Sequence, residues 1–387
     1  MSFDHYDTIL SSNLFLQTPL VEQVVVPDDQ VQDDASDNNQ YQTIIKTIKN
    51  FNSEEHHDSV NEYRLLISTA NQARDLIIQQ DTIKTKDQLQ LIFKLWNIRL
   101  TLLVISGELQ LSQQESKRLS IAINKAVRLK EPNLNKNLVP SNVSIFGDDI
   151  PLSLKILIIR LKSIGPNITL STEYYLILWE LRQRFLDQVN EQDEIQLKLE
   201  ILSYSIASNL IAKREYSTFL TQADSIINTI QQQDSSILQT QFNDKISILA
   251  VLISFIKGDW DLANYYFEKI STMESFTNKI KSLEYILQTV DPVLDPKRTK
   301  TNPEIKESIN LNNIKTIDDL FELIKDQRIT GRILCSLCAY FELQLRSSLS
   351  SSSTNDLFES SLNDNDELTA ELLKIWLKNP NKLYGFE

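Results

Sequence analysis

Apolar residues recur at intervals of three and four along most of this chain, and the pattern is strongest between Leu89 and Ile105. Side chains at this spacing share one face of an α-helix. One stripe consists of Leu89, Ile92, Phe93, Trp96, Leu100 and Leu103, and a second of Leu91, Leu95, Ile98, Leu102 and Ile105. A helix that is apolar on two faces is covered by neighbours on both. This helix is therefore predicted to be central.

Helical periodicity also predicts most of the remaining chain. It begins at Tyr41, and Pro151 is suited to the first position of a buried helix over Leu152–Ile164. Further helices are predicted at 172–188, 193–213, 216–231, 241–257, 260–273, 276–290, 315–325, 328–347 and 367–378. Strand-type alternation is sustained nowhere. The sequence thus predicts an all-α fold.

Composition divides the chain into four regions. Residues 1–40 are predicted to be a disordered acidic tail, in which Val24–Val26 is either a docking peptide or simply part of the tail. Residues 41–290 form a helical array, and 291–312 a polar linker punctuated by proline. Residues 313–387 hold C-terminal helices interrupted by a flexible loop rich in Ser, Asn and Asp at 347–366.

A turn signature occurs between two of the predicted helices. Gly258 follows an apolar helix, Asp259 starts the next one, and Trp260, Ala263 and Phe267 follow at spacings of three and four. Glycine lets the chain reverse tightly, the acidic residue favours a helix N-terminus, and alanine lets two helices approach closely. This combination is typical of the tetratricopeptide (TPR) helix pair.

Two further segments resemble this helix pair. Tyr216 corresponds to Trp260, and Phe219 and Ala223 occupy the positions of Ala263 and Phe267 with large and small residues exchanged. A weaker copy surrounds Gly107. Repeated pairs favour a TPR-like α-solenoid of antiparallel helices, with a generic bundle of helical hairpins as the alternative.

Charge and composition exclude several classes of function. Lys and Arg total 39 against 52 Asp and Glu in 387 residues, and the net charge of -13 disfavours binding to nucleic acid or anionic lipid. The 6 scattered glycines do not form a phosphate-binding loop. The N-terminus lacks the features of a signal peptide, and the apolar run Ile248–Ile256 is too short to span a membrane. A cytoplasmic protein without direct membrane insertion is predicted.

Candidate chemistry is sparse. His56 and His57 are adjacent and would point in different directions on a helix, which disfavours a shared metal. Cys335 and Cys338 lie within an apolar helix and are interpreted as small buried hydrophobic residues. Motifs for nucleophilic, metal-dependent or phosphate chemistry do not occur. We therefore predict no catalytic, cofactor or metal site; a helical enzyme using buried carboxylates is the remaining alternative.

Three arginines stand out on otherwise apolar helices. Arg99, Arg160 and Arg182 either anchor acidic groups of a partner or reach solvent or a carboxylate of the same chain. We interpret each as reaching solvent or an intramolecular carboxylate, with an acidic group of a partner as the alternative.

The order of these motifs resembles that of the TRAPP complex subunit 12 family. The first match lies in Leu89–Glu115, at Trp96, Arg99, Leu100, Leu102, Leu103 and Gly107. The second lies in Ile150–Leu161, which keeps Pro151, Ile156 and Leu157 and departs at Leu152 and Lys155. The two TPR-like pairs and the segment Gly331–Leu345 follow in the same order. Between Ile270 and Ile314 the chain is shorter than the family pattern by about one repeat.

The resemblance implies a non-catalytic accessory subunit of a TRAPP III-type assembly. Such a complex tethers vesicles and promotes nucleotide exchange on a Rab GTPase in ER-to-Golgi transport and autophagy. Partners would be other TRAPP accessory subunits, with the Rab GTPase contacted indirectly, and the location would be cytoplasmic, peripheral to Golgi and ER–Golgi membranes. A stand-alone TPR adaptor that binds the peptide tails of other proteins is the alternative function.

Overall fold

The regular structure of the described chain is entirely helical. The computed structural model describes residues 4–18, 37–53, 59–130, 149–163, 172–187, 192–231 and 237–270, with further helical positions among residues 331–345 and at 371–372. Within these residues no strand occurs, and the all-α prediction is confirmed there.

Ten α-helices and two short 3-10 helices have defined bounds. The 3-10 helices are Asp4–Leu10 and Ser12–Leu14. The α-helices are α1 Asp37–Ser53, α2 Ser59–Ile78, α3 Lys86–Ile105, α4 Leu109–Lys130, α5 Leu152–Ser163, α6 Thr172–Asp187, α7 Gln192–Ala212, α8 Tyr216–Gln231, α9 Ile237–Lys257 and α10 Trp260–Glu268.

The chain divides into two compact units. The first contains residues 1–199 and 346–376, and the second contains residues 200–345 and 377–386. In the first unit α2, α4 and α5 pack against α3, α1 packs against α2, and α6 packs against α5. In the second unit α9 packs against both α8 and α10.

Helix α3 is the centre of the first unit, as its two apolar stripes predict. Every residue from Leu95 to Ile105 is buried, and Trp96 and Arg99 are fully enclosed. The helix begins at a capping box: Thr85 Oγ1 accepts the main-chain N–H of Gln88 at 3.2 Å, and Gln88 Oε1 accepts that of Thr85 at 3.2 Å. These bonds satisfy two donors that a helix start otherwise leaves unpaired.

The N-terminal segment differs from the predicted disordered tail. Residues 4–14 form the two 3-10 helices, and both pack against α4. Tyr6, Ile9 and Leu10 have helical spacing and bury their side chains, as does Phe15. Burying four large apolar side chains offsets the entropy lost on ordering the segment. Helix α1 then begins at Asp37, four residues before the predicted start.

Several predicted segments lie outside the described residues. They are the remainder of the tail at 19–36, the helices at 276–290 and 315–325, the linker at 291–312, the loop at 347–366, and His56 and His57.

Candidate functional site

An ion pair spans the α3–α4 turn in the core of the first unit. Arg99 on α3 donates from Nε to Glu115 Oε2 at 2.8 Å and from Nη2 to Glu115 Oε1 at 2.6 Å. Both side chains have no exposed surface. A two-point guanidinium–carboxylate pair fixes the orientation of both groups as well as their separation.

Arg99 also connects α3 to α2. Its Nη1 donates to the main-chain carbonyl of Ala70 at 3.0 Å and to Asn71 Oδ1 at 3.4 Å. These bonds satisfy donors that the carboxylate does not reach, as a buried guanidinium requires. The pair therefore joins α2, α3 and α4 at one point in the core.

Residues Asp4–Thr18, called the N-terminal strap below, complete this arrangement. The main-chain N–H of Leu16 donates to Glu115 Oε1 at 2.8 Å. The Phe15 ring stacks on Trp96 with centroids 4.4 Å apart and planes 5° from parallel, and the Arg99 guanidinium carbon lies 5.2 Å from the centre of the Phe15 ring. Trp96 Nε1 in turn donates to the carbonyl of Ile9 at 3.3 Å.

A second anchor of the strap lies at Asp149, two residues before Pro151. Asp149 Oδ2 accepts hydrogen bonds from Tyr6 at 3.3 Å and from Lys130 Nζ at 2.6 Å, and its carbonyl accepts Gln90 Nε2 at 2.9 Å. One aspartate thereby links the strap to α3, to the end of α4 and to the entry of α5. Pro151 caps α5, because its carbonyl accepts the N–H of Lys155 at 3.1 Å.

Chemically, this arrangement binds and orients the groups that it joins. Both Glu115 oxygens accept hydrogen bonds from Arg99, and one also accepts the Leu16 N–H. A carboxylate held in this way serves as a fixed acceptor of hydrogen bonds. Of the two sequence-based alternatives for Arg99, the intramolecular carboxylate is confirmed.

The predicted turn residues lie at three turns with the same hydrogen bonds. Gly107, Arg214 and Gly258 have positive φ of 98°, 59° and 72°. At each turn the N–H of that residue bonds the carbonyl three residues back, and the next N–H bonds the carbonyl five residues back, at 2.8–3.0 Å. These are Schellman motifs, in which a left-handed residue lets the last helical carbonyls find donors.

Each of the three turns passes directly into a helix behind an acidic residue. Glu108, Glu215 and Asp259 provide the carbonyl that accepts the first hydrogen bond of α4, α8 and α10, at 3.0–3.1 Å. Asp259 Oδ1 also accepts the N–H of Leu262 at 3.1 Å. The Asp259 carboxylate thus caps α10, and an acidic residue at a helix start interacts favourably with the helix dipole.

Positions at equal distances after the three turns are buried in every case. Five residues after the left-handed residue stand Ser112, Phe219 and Ala263, and nine residues after it stand Ser116, Ala223 and Phe267. Tyr216 and Trp260 are the first residues of α8 and α10 and are partly exposed, and the Trp260 ring lies 5.8 Å from that of Phe255. The three segments therefore share backbone geometry and burial, as well as sequence.

The interior of the second unit contains a polar group of side chains around Tyr204. Burial raises the pKa of Tyr204 well above its ordinary value, and the nearby Glu200, Cys338 and Glu342 add to the rise. Cys335 and Cys338 are both buried, as predicted, and the Cys335 thiol donates to the carbonyl of Ser208 at 3.3 Å.

Among the described residues, no cluster of three or more His, Cys, Asp or Glu side chains could hold a metal ion. Of the described helices, α3 has the length and mean hydropathy of a membrane span, and 78% of its apolar window is buried inside the protein.

Sequence reasoning missed three participants in the site: Phe15, Leu16 and Glu115. Leu16 takes part through its main chain, which no residue-type pattern can reveal. The spacing of Tyr6, Ile9 and Leu10 was a usable signal, because helical periodicity in a supposed tail indicates a buried face.

The described residues define an all-α fold whose first unit contains a buried ion pair between Arg99 and Glu115. Comparison with protein-family models, curated proteins and solved structures finds no significant match to the chain.

Proposed function

We propose that this chain is a non-catalytic scaffold built from TPR-like helix pairs. The three turns carry the proposal: the same Schellman hydrogen bonds, the same acidic helix start and the same buried positions recur at Gly107, Arg214 and Gly258. Recurrence of one supersecondary unit is the hallmark of repeat proteins, whose stacked helices present extended surfaces to other proteins. The finer architecture we propose is an α-solenoid.

Within that class, we propose an accessory subunit of a TRAPP III-type tethering complex acting in vesicle-mediated ER-to-Golgi transport and autophagy. The support is the colinear resemblance to the subunit 12 family described above. Trp96, Arg99 and Gly107, which carry its first motif, hold defined structural positions: two in the core and one at a left-handed turn. On this proposal the chain binds other accessory subunits, meets a Rab GTPase only through them, and resides in the cytoplasm at Golgi membranes.

The test is affinity purification of the tagged full-length chain, expressed at native level in its own host, under mild conditions. We expect TRAPP core and accessory subunits to co-purify, to co-migrate with the chain in gel filtration, and to bring Rab nucleotide-exchange activity with them. The purified chain alone should leave the rate of nucleotide release unchanged.

A matched pair of variants distinguishes specific assembly from nonspecific association of an acidic helical protein. Arg99→Met is expected to weaken the folded first unit and reduce recovery of TRAPP subunits, whereas Lys198→Ala, which breaks a partly exposed ion pair, should recover them fully. Recovery of other partners without any TRAPP subunit would refute the assignment and favour the stand-alone adaptor.

A further inference from the structure

The N-terminal strap is bound to the first unit in the manner of a peptide ligand. Its main chain is hydrogen-bonded at Ile9 to Trp96, at Asn13 to Arg118 Nη1 at 2.9 Å, and at Leu16 to Glu115. Its side chains fill separate positions along the same surface. In peptide-binding sites, hydrogen bonds to the main chain of the peptide provide affinity, and pockets for its side chains provide specificity.

The buried side chains of the strap form two groups. Phe15 lies against Trp96 and Arg99, and Tyr6, which packs edge-on against Phe93 with ring centroids 5.9 Å apart, is buried together with Ile9 and Leu10. Between the two groups Ser12 and Asn13 are exposed. Buried anchors joined by an exposed stretch occur in peptide recognition segments.

The surface beneath the strap is held together by its own helices. Arg99 is bonded to Glu115, Ala70 and Asn71 without help from the strap, and the α3–α4 turn closes through Glu108 and Leu103 at 2.8 Å. Departure of the strap removes its hydrogen bonds to Glu115, Trp96, Arg118, Asn71, Ile83 and Asp149, together with the buried side chains of Tyr6, Ile9, Leu10 and Phe15. The bonds of Arg99 that join α2, α3 and α4 do not involve the strap, so the framework of the groove is held by these helices.

The strap belongs to the same chain as its groove, which lowers the intrinsic affinity that it needs to stay bound. Residues 19–36 connect it to α1. Docking of a segment within its own chain is intramolecular, so a segment of modest intrinsic affinity still occupies its groove. A free peptide competes once the strap's own docking is weakened.

We propose that the groove under the strap is an exchangeable peptide-binding site, occupied in the isolated chain by residues 4–18 and able to take a segment of another protein in their place. That segment presents an aromatic side chain at the position of Phe15, and the residue after it has a free main-chain N–H for Glu115. Upstream of it, aromatic or aliphatic side chains fill the positions of Tyr6 and Ile9. This inference concerns the first unit alone and does not depend on TRAPP membership.

The experiment measures binding of a fluorescently labelled peptide, Ser2–Thr18 of this sequence, to the full-length chain by polarisation. Wild-type protein is expected to bind it weakly, because the strap competes. Phe15→Ala in the protein weakens the strap and leaves the groove unchanged, so binding should tighten by about tenfold or more. Within the peptide, Phe15→Ala or Leu16→Pro should abolish binding, and Ser12→Ala, at an exposed position, should preserve it.

Unchanged affinity of a folded Phe15→Ala protein would overturn the proposal, as would equal binding of the Phe15→Ala peptide. If that protein fails to fold, a second measurement decides. A specific protease site is inserted within residues 19–36, the chain is cut, and excess labelled peptide is added. Replacement of the strap with retention of helical circular dichroism supports exchange, and a strap that leaves only when the protein unfolds shows that it belongs to the core.

Discussion

Arg99 and Glu115 lie sixteen residues apart and form a two-point ion pair with both side chains fully buried. The α3–α4 turn brings them together, and the Leu16 N–H provides a further bond to the carboxylate. Removing water from two charges is costly, so a buried pair stabilises the fold only while both partners and their hydrogen bonds are present.

Breaking this pair from one side should be strongly destabilising. Arg99→Met or Glu115→Leu leaves an unpaired charge in the core, and each should lower the free energy of unfolding by about 3–5 kcal/mol. Urea denaturation followed by circular dichroism measures the change.

The double variant Arg99→Met/Glu115→Leu is the informative comparison, because it buries no charge. It should be clearly more stable than either single variant. Lys198→Ala, which breaks the partly exposed i,i+4 pair with Glu194, should change stability by less than about 0.5 kcal/mol. If either single core variant lost as little free energy of unfolding as Lys198→Ala, the interpretation that the buried charges depend on each other would be contradicted.

At the three left-handed turns, two kinds of substitution should change the free energy of unfolding in opposite directions. Gly107→Ala and Gly258→Ala should each cost about 1 kcal/mol from backbone strain alone, because a Cβ added at either glycine meets nothing within 4 Å. Arg214 already bears this strain at φ 59°, so Arg214→Gly should be neutral or stabilise by up to about 1 kcal/mol. A destabilising Arg214→Gly, measured by thermal unfolding, would show that its side chain matters more than its φ.

These turns show how far the sequence could predict the fold. Gly258 and Gly107 predict reversals of the chain, because a glycine that follows an apolar helix indicates the end of that helix. Arg214 carries no such signal, and only its alignment with the other copies places a turn at that point. Helix boundaries at the Arg214 and Gly258 turns were predicted to within one residue, since apolar periodicity and turn residues agree there.

The candidate site was less predictable, for a physical reason. Arg99 was conspicuous on an apolar helix, but the sequence did not identify Glu115, the one acidic residue within α4, as its partner. Whether the Glu115 carboxylate reaches Arg99 depends on the rotation of α4 about its axis. That rotation is set by packing of Ser112 and Leu119 against neighbours, which a single sequence does not specify.

The acidic cap after Gly258 should be required for the local stability of α10. Asp259 accepts the N–H of Leu262, so Asp259→Ala should lower the free energy of unfolding by about 1 kcal/mol. Asp259→Asn keeps the acceptor and should cost only a few tenths of that, through the lost interaction with the helix dipole. Equal losses in the two variants, measured by urea denaturation, would assign the effect to charge instead of capping.

Two buried tyrosines should make the second unit sensitive to alkaline pH. Burial raises the pKa of Tyr204 well above its ordinary value, and it also raises that of Tyr266, where nearby Asp224 adds to the rise. Unfolded tyrosines ionise near pH 10. Above that pH the unfolded chain binds fewer protons than the folded chain, so the free energy of unfolding falls as pH rises, by up to about 1.4 kcal/mol per pH unit for each tyrosine.

Lys245 contributes in the opposite direction at lower pH, because burial lowers its pKa and the unfolded lysine holds its proton longer. That gain with pH ends near the ordinary lysine value of about 10.4, so the tyrosines dominate above it. Urea midpoints measured between pH 10.5 and 12 should therefore fall steeply in the wild type and less steeply in Tyr204→Phe. The same pair compared at pH 7 separates the lost hydroxyl from the titration. Parallel slopes above pH 10.5 would show that Tyr204 ionises alike in the folded and unfolded chains, against the burial found here.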